Sequence, residues 1–205
     1  MIDIPNITRK RDLLPPNDAK LGTHSRHQQT ITGKTVEIGA GGACDHFYGA
    51  TFVDCDVRLC GSGMRTNGAV HTANFQDCQI WAKKKQNIPN WEAAFERCYF
   101  RGTFGVRFAG KVVDCDFSKA RLIYAQFLQT GSLGAVVWPV WPHVVIDDLD
   151  LNRPDWLRIP KPAQFNDFLV ADSGVASVLD LADAVEDPEA FWQRIQHCPY
   201  VHSQR

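Results

Sequence analysis

Small and large apolar residues alternate in a five-residue rhythm through the middle of the chain, with polar residues between them. The rhythm is clearest in a motif that occurs four times and ends in a cysteine and a last apolar residue. The copies are Ala50-Phe52-Cys55-Val57, Ala73-Phe75-Cys78-Ile80, Ala93-Phe95-Cys98-Phe100 and Gly110-Val112-Cys115-Phe117. The first large residue recurs after 23, 20 and 17 positions. A unit of five inside a turn of about 20 residues predicts a solenoid with four short sides per turn.

In such a narrow coil, the large residue fills the axis, and the inward position two places earlier has room only for a small side chain. Equivalent residues of successive turns stack on each other, so the motif predicts a column of large residues and a neighbouring column of cysteines. The pattern also predicts a strand from Thr32 to Ile38. An insertion at residues 61–67 shifts the phase, and a loop at residues 83–90 follows without breaking it.

The pattern resembles the signature of the pentapeptide-repeat family, which centres on Leu or Phe with Ala or Cys two residues before it. The resemblance covers about half of the chain, residues 43–129. It implies a mainly β fold, a right-handed quadrilateral parallel β-helix. The residues alone leave a β-sandwich open, since Phe and Cys are ordinary core residues. A sandwich, however, shows period-two alternation without a recurrence of about twenty residues.

Changes in composition divide the chain into an N-terminal arm, residues 1–31, a repeat β-helix, residues 32–137, and a connector with a helical C-terminal cap, residues 138–205. Two Trp-Pro dipeptides, at Trp138 and Trp141, predict an extended segment that closes the open end of the coil. Residues 147–162 are expected to be a polar connector. Helices are predicted at 163–171, 175–185 and 187–197. They either cap the solenoid or form a dimer contact.

The last of these helices has the clearest start signal. Asp187 is a suitable N-cap, and Pro188 occupies the first helical position, where a missing N–H costs nothing. Phe191, Trp192 and Ile195 are expected to form its buried face.

The charge and cysteine content exclude several classes of protein. A formal net charge of -1 over 205 residues gives no general attraction to nucleic acid or anionic membranes. No apolar run approaches the roughly 20 residues that a membrane helix needs, and the N-terminus lacks the pattern of a secretory signal. We therefore expect a cytoplasmic protein. Its seven cysteines, an odd number, are expected to be reduced core thiols.

The sequence offers weak support for catalysis, metals or cofactors. His24 with His27 and Cys44 with His46 are short pairs without a second pair at zinc spacing, so no metal or cofactor is predicted. No motif places a nucleophile beside a base. An enzyme that uses a column of aspartates with His71 is the alternative, but we expect no enzyme.

Two sets of residues are candidates for a binding surface. The aspartates beside the cysteines, at Asp54, Asp56, Asp77, Asp114 and Asp116, are predicted to stack into an acidic column interrupted by Arg97 and Gln79. The same residues are also explained as corner residues that cap backbone amides. A second candidate is the loop that holds three lysines between two tryptophans. It contains Trp81, Lys83, Lys84, Lys85 and Trp91, which a solvated hairpin with packed tryptophans also explains.

These features favour a protein that binds another protein without catalysis. We expect an immunity-type protein that neutralises a bacterial toxin. The family resemblance also implies a DNA mimic that binds a type II topoisomerase, although full mimicry favours a stronger negative charge than -1. A structural module that forms homodimers through the C-terminal helices is the third possibility. Direct nucleic-acid and membrane binding are not expected.

Overall fold

The computed structural model describes residues 11–14, 28–40, 46–129, 133–161 and 174–205. Its strands are β1 Thr30–Thr32, β2 Thr35–Ile38, β3 Thr51–Val53, β4 Asp56–Leu59, β5 Asn74–Gln76, β6 Gln79–Ala82, β7 Gln86–Trp91, β8 Ala94–Glu96, β9 Tyr99–Phe108, β10 Val112–Val113, β11 Asp116–Phe127, β12 His143–Asp147, β13 Ala176–Asp180 and β14 Val201–His202. The helices are α1 Gly63–Val70, α2 Leu149–Arg158, α3 Leu181–Ala184 and α4 Pro188–Ile195.

Five successive coils stack into a β-solenoid, which confirms the fold class predicted from the repeat. One side of the coils is a parallel sheet in the order β1-β3-β5-β8-β10, and the next side is parallel in the order β2-β4-β6-β9-β11. Phe52 lies opposite Phe75, and Phe75 lies opposite Phe95. Their ring centroids are 4.7 and 5.0 Å apart. The predicted column of large residues is therefore confirmed.

The predicted column of cysteines is confirmed as well. Cys55, Cys78, Cys98 and Cys115 are buried at successive levels of the solenoid. The Cys78 and Cys98 thiols each lie 3.4 Å from a backbone carbonyl of the preceding coil. Burial raises the pKa of the Cys98 thiol well above its ordinary value, which keeps it protonated. All six cysteines in the described ranges are free, and Cys44 lies outside those ranges.

Both interruptions of the repeat are ordered. The predicted insertion contains most of helix α1, which packs against β7. The prediction of a loop at residues 83–90 is wrong for its second half, because β7 pairs in parallel with β9 and adds a strand to a further side of the coil. Ile88 and Trp91 are buried on the inner face of β7, and Gln86 is buried with its amide bonded. A sequence pattern does not reveal that a polar residue such as Gln86 is buried with its amide hydrogen-bonded.

The C-terminal cap contains helices, as predicted, and also three strands that were not predicted from the sequence. Strand β13 pairs antiparallel with the last coil, at residues 124–127 of β11, and β12 and β14 continue the sheet. The prediction of a helix at residues 175–185 is wrong for its first half, which forms β13 (Ala176–Asp180), whereas Leu181–Ala184 are helical as α3. All five residues of β13 are buried, and a short apolar run covered on both faces reads equally well as helix or strand.

The remaining predictions for the cap have mixed outcomes. The polar connector expected at residues 147–162 contains helix α2 instead. The predicted last helix is confirmed as α4, where the Asp187 side chain accepts a hydrogen bond from the Ala190 N–H at 2.9 Å. The helix predicted at residues 163–171 lies outside the described residues.

The segment after the last coil covers its open end. The Val137 backbone bonds to Cys115 and Phe117, and Trp138 packs on Phe117 and Phe127 with centroids 6.1 and 5.3 Å apart. The closing role predicted for Trp138 is confirmed. Trp141 lies instead in a second core under the helices, where its ring meets Trp192.

The first coil begins within the segment assigned to the N-terminal arm. The predicted strand from Thr32 to Ile38 is two strands, β1 and β2, which meet at a corner where Gly33 has φ +64°. Backbone atoms of Asp12 and Leu14 bond to Thr35 and extend the edge of β2. The other residues of the arm, 1–10 and 15–27, lie outside the described part of the chain.

Candidate functional site

The aspartates beside the cysteines fall into two columns, so the prediction of a single acidic column is wrong. Asp54, Asp77, Arg97 and Asp114 occupy equivalent corners, all with φ between 52° and 54°. Asp56 and Asp116 each lie two residues after a corner aspartate, at strand positions in register with Gln79 and Tyr99. Asp tolerates the left-handed conformation better than most residues, so the corner column has a backbone cause.

The charges of these aspartates are largely compensated within the fold. Arg11 donates to Asp54, and Arg58 lies 2.9 Å from Asp56 and 3.4 Å from Glu37. Arg97 donates to both carboxylate oxygens of Asp77, at 2.7 and 2.9 Å.

The remaining two aspartates cap backbone amides. Asp114 accepts from the Ala135 N–H at 2.7 Å. Asp116 is buried and accepts from the Ser118 N–H at 2.7 Å. The fold therefore does not present these five aspartates as a surface of free carboxylates.

The loop with three lysines is exposed on the neighbouring side of the solenoid. Trp81, at the outward position of β6, is partly exposed. The Lys83 ammonium lies over its ring at 3.1 Å from the centroid, and the Arg101 guanidinium lies over it at 3.5 Å. Lys119 is in register with Arg101 on the next coil. We call Trp81, Lys83, Arg101 and Lys119 the Trp81 cluster.

The cations of the Trp81 cluster have no ion-pair partner among the described residues. No carboxylate of the described residues lies within 4.0 Å of the charged groups of Lys83, Arg101 or Lys119. Lys84 and Lys85 are exposed beside them and are equally free of ion pairs within the described ranges. Arg58, in register with Trp81, is paired with carboxylates and marks the boundary of the positive patch.

Buried hydrogen bonds fix the backbone that carries the lysines. The Gln86 amide nitrogen donates to the Lys84 carbonyl at 2.9 Å and to the Gly61 carbonyl at 3.0 Å. Its oxygen accepts from the Thr66 hydroxyl at 2.8 Å, and the Lys83 N–H donates to the Leu59 carbonyl at 3.0 Å. Both ends of the lysine segment are thus anchored to the coil below and to α1.

The prediction that Trp91 belongs to an exposed binding loop is wrong. Trp91 is fully buried, and its ring packs on Phe95 and Phe108 with centroids 4.8 and 5.9 Å apart. The solenoid core needs a large residue there, because Trp91 ends β7 and faces inward.

Arg101 and Lys119 are the residues that the sequence interpretation missed. Trp81 directly follows the inward Ile80, and Arg101 follows the inward Phe100 at the same phase of the next coil. The repeat register therefore contained the signal for Arg101. Lys119 is displaced by a bulge between residues 116 and 119, which hides it from the register.

The other candidate chemistry does not gather into a site. No group of three or more His, Cys, Asp or Glu side chains suited to a metal occurs in the described ranges. His24, His27 and Cys44 lie outside them. His71 faces Glu92 at 3.4 Å, both part-exposed. An open cleft of about 690 Å³ adjoins the lysine segment and is lined by Cys60, Ser62, Arg65 and Lys84 among others.

Comparisons with protein-family models, with curated proteins and with solved structures find no match to this chain. The resemblance to pentapeptide repeats therefore stays a prediction that rests on the repeat pattern. Across the described ranges, no helix has both the length and the apolar character that crossing a bilayer requires.

Proposed function

We propose that the chain is a non-enzymatic binding module that recognises and shields a protein partner through the Trp81 cluster. The observation that carries the proposal is the contact of Lys83 and Arg101 with the ring of the part-exposed Trp81. Neither cation has an ion-pair partner among the described residues. Trp and Arg are the residues that most often dominate binding energy at protein interfaces.

The rigidity of the platform supports the proposal. The strands that carry Trp81 and Arg101 are bonded on both sides within one sheet, and the buried Gln86 anchors the lysine segment. A surface that is already ordered loses little conformational entropy when a partner binds, so more of the contact energy becomes affinity.

The biological role that we propose is that of an immunity-type protein, which acts in the bacterial cytoplasm and neutralises a toxin by covering its surface. The topoisomerase-binding DNA mimic receives less support, because arginines compensate Asp54, Asp56 and Asp77. An extended surface of free negative charge, which mimicry of DNA requires, is not formed by these columns.

Self-association through the C-terminal helices has one supporting observation. Leu151 and Leu157 of α2 are 80% and 55% exposed, although the neighbouring Trp156 is buried. The apolar face of α4 is already used, since Phe191, Trp192 and Ile195 fill the second core. Light scattering of the purified protein over a range of concentrations tests for a dimer, and L151S together with L157S tests whether α2 forms it.

The central test is capture of a partner from cells of the natural host, with identification by mass spectrometry. Wild-type bait is compared with W81A/R101Q and with the control variant K111Q/R194Q. The control removes two exposed cations that lie outside the Trp81 cluster. We expect a stoichiometric partner that is lost only in W81A/R101Q. If the partner is a toxin, it is then co-expressed with each form of the protein. Wild type and K111Q/R194Q should restore growth, and W81A/R101Q should not. Capture that is equal for all three baits contradicts the assignment of the surface, and capture by none contradicts the binding function.

A further inference from the structure

We infer that the Trp81 cluster binds an acidic helix of the protein partner, with carboxylates of that helix on Arg101, Lys83 and Lys119. This inference rests on the proposed function and specifies the chemistry of the partner. It follows from how the cations are held, from their lack of compensation and from their spacing along the solenoid.

The indole of Trp81 holds two cations in place. Lys83 and Arg101 lie 3.1 and 3.5 Å from the centroid of its ring, which is within the range of a cation–π interaction. The Arg101 guanidinium is thereby held in place, and its N–H groups donate no hydrogen bond to any residue of the described ranges, so they are available to a ligand. A fixed guanidinium presents a fork of donors that matches a carboxylate.

Charge complementarity selects an acidic ligand. The positive charge of Lys83, Lys84, Lys85, Arg101 and Lys119 is not offset by any ion pair within the described ranges. Of the carboxylates at neighbouring register positions, Glu37 and Asp56 are ion-paired with Arg58. Asp116 is buried and accepts a hydrogen bond from the Ser118 N–H. A partner that brings carboxylates therefore gains on this patch, whereas a basic or neutral partner leaves the cations unpaired.

The spacing of the cations favours a helix that lies along the solenoid axis. Arg101 and Lys119 are register partners on adjacent coils, and adjacent strands are about 4.8 Å apart. Side chains three or four residues apart on a helix are separated by about 5–6 Å. Alternate side chains on an extended strand are about 6.6–6.8 Å apart. This spacing matches the distance between adjacent coils less well than the spacing on a helix does.

The same geometry disfavours single-stranded nucleic acid. Such ligands bind by stacking bases on open aromatic faces, and a base on Trp81 would have to displace Lys83 or Arg101 from the ring. The patch is also small, because Arg58 with its carboxylates borders it and the whole chain has a net charge of -1.

Binding of labelled peptides to the full chain tests the inference. The probe is a helical peptide of about 20 residues with glutamates four residues apart on one face. The comparison ligands are the same peptide with Gln in place of Glu and an oligothymidylate of similar length. Fluorescence anisotropy is measured on wild type, on K83Q/R101Q and on K111Q/R194Q, which loses the same charge from exposed positions away from the cluster.

We expect the Glu peptide to bind, with affinity that falls as salt rises, and the Gln peptide to bind at least about tenfold more weakly. K83Q/R101Q should lose about tenfold in affinity, which corresponds to about 1.4 kcal/mol, and K111Q/R194Q less than about twofold. The inference is overturned by equal losses in the two variants, by equal binding of the Gln peptide, by tighter binding of the oligothymidylate, or by no binding of the Glu peptide at about 1 mM.

The two proposals fail separately. If the Glu peptide does not bind but a cellular partner is still captured through Trp81 and Arg101, the acidic helix is wrong and the binding function stands. If no partner is captured with any bait, the function itself fails.

Discussion

At single positions, the corners of the coils explain residues that looked like a charged surface. Asp54, Asp77, Arg97 and Asp114 all have φ near 52°, a conformation that costs most residues about 1–2 kcal/mol. Asp and Asn lose least there, because a short polar side chain bonds locally. The recurrence of aspartate before the cysteine thus reports backbone geometry first and charge second.

Substitution of one corner residue separates these two causes. Asp77→Asn removes the charge that pairs with Arg97 but keeps tolerance of the left-handed region, so we expect a change below about 1 kcal/mol in the free energy of unfolding. Asp77→Val removes the same charge and adds a β-branched side chain at φ 54°, so we expect a loss of about 1–2 kcal/mol beyond that. Urea denaturation of both variants measures the difference. Equal losses would mean that the ion pair, not the corner, explains Asp77.

At the scale of elements, the stacked phenylalanines set the stability of the coils. Phe75 lies between Phe52 and Phe95, is 1% exposed and contacts both rings face to face. Phe75→Ala should destabilise the protein by about 3–5 kcal/mol and Phe75→Leu by clearly less, because the cavity is smaller. Met64→Ala, at a residue 81% exposed, is the control and should change little. A loss below about 1 kcal/mol for Phe75→Ala would contradict tight stacking.

The pairing of β14 with β12 has a titratable contact. His202 Nε2 lies 2.9 Å from an Asp147 carboxylate oxygen, and this hydrogen bond raises the pKa of His202 above its ordinary 6.5. A raised folded-state pKa adds stability that is complete below the unfolded pKa and is lost as pH rises through the folded one. Both side chains are nearly half exposed, so the effect is small.

His202→Gln is the variant that isolates this contact. We expect wild type to have the higher melting temperature at pH 5.5, and the difference to shrink steadily to pH 9 as His202 loses its proton. Thermal unfolding followed by circular dichroism at several pH values measures it. A difference that grows towards alkaline pH would show that the His202–Asp147 contact does not carry the charge that the geometry implies.

How far the sequence predicts an element depends on whether its neighbours repeat. The coils were predictable because each level has the same inward residues, from Phe52 to Phe95 and from Cys55 to Cys115. β7 was not, since its buried Gln86 is satisfied by Thr66 and Gly61, which are distant along the chain. Strand β13 of the cap was not, because both of its faces are covered and its pattern has no period. The lysine segment was predicted, whereas the cation on Trp81 from the next coil was not.

At the scale of the whole molecule, two cores share one sheet. The solenoid core includes Val145 and Val178, whereas Val144 and Leu179 on the same strands belong to the second core. β12 and β13 therefore present alternate residues to the two sides. Because the sheet continues from β11 through β13 to β14, the cap is a structural continuation of the solenoid and terminates its exposed edge.

Removal of the cap should therefore produce self-association and not merely a smaller monomer. A chain that ends at residue 129 exposes the edge of β11 that pairs with residues 176–179, and also the rings of Phe117 and Phe127 that Trp138 covers. Open strand edges with apolar surface recruit strands from other molecules. Size-exclusion chromatography with light scattering compares the two chains at the same low concentration. We expect the shortened chain to form more large species than the full chain.

A charged edge tests the cause of that self-association. In the shortened chain, Gln126→Lys places a lysine on the exposed edge of β11, at the residue that pairs with Ser177 in the intact protein. Lysines on edge strands oppose pairing between molecules, so Q126K should reduce the large species while the shortened chain keeps its β-sheet circular dichroism spectrum. If the shortened chain is monomeric without Q126K, the cap does not protect this edge. If Q126K changes nothing although large species form, the apolar rings and not the strand edge drive association, and Trp138 is then the part of the cap that keeps the solenoid apart from its copies.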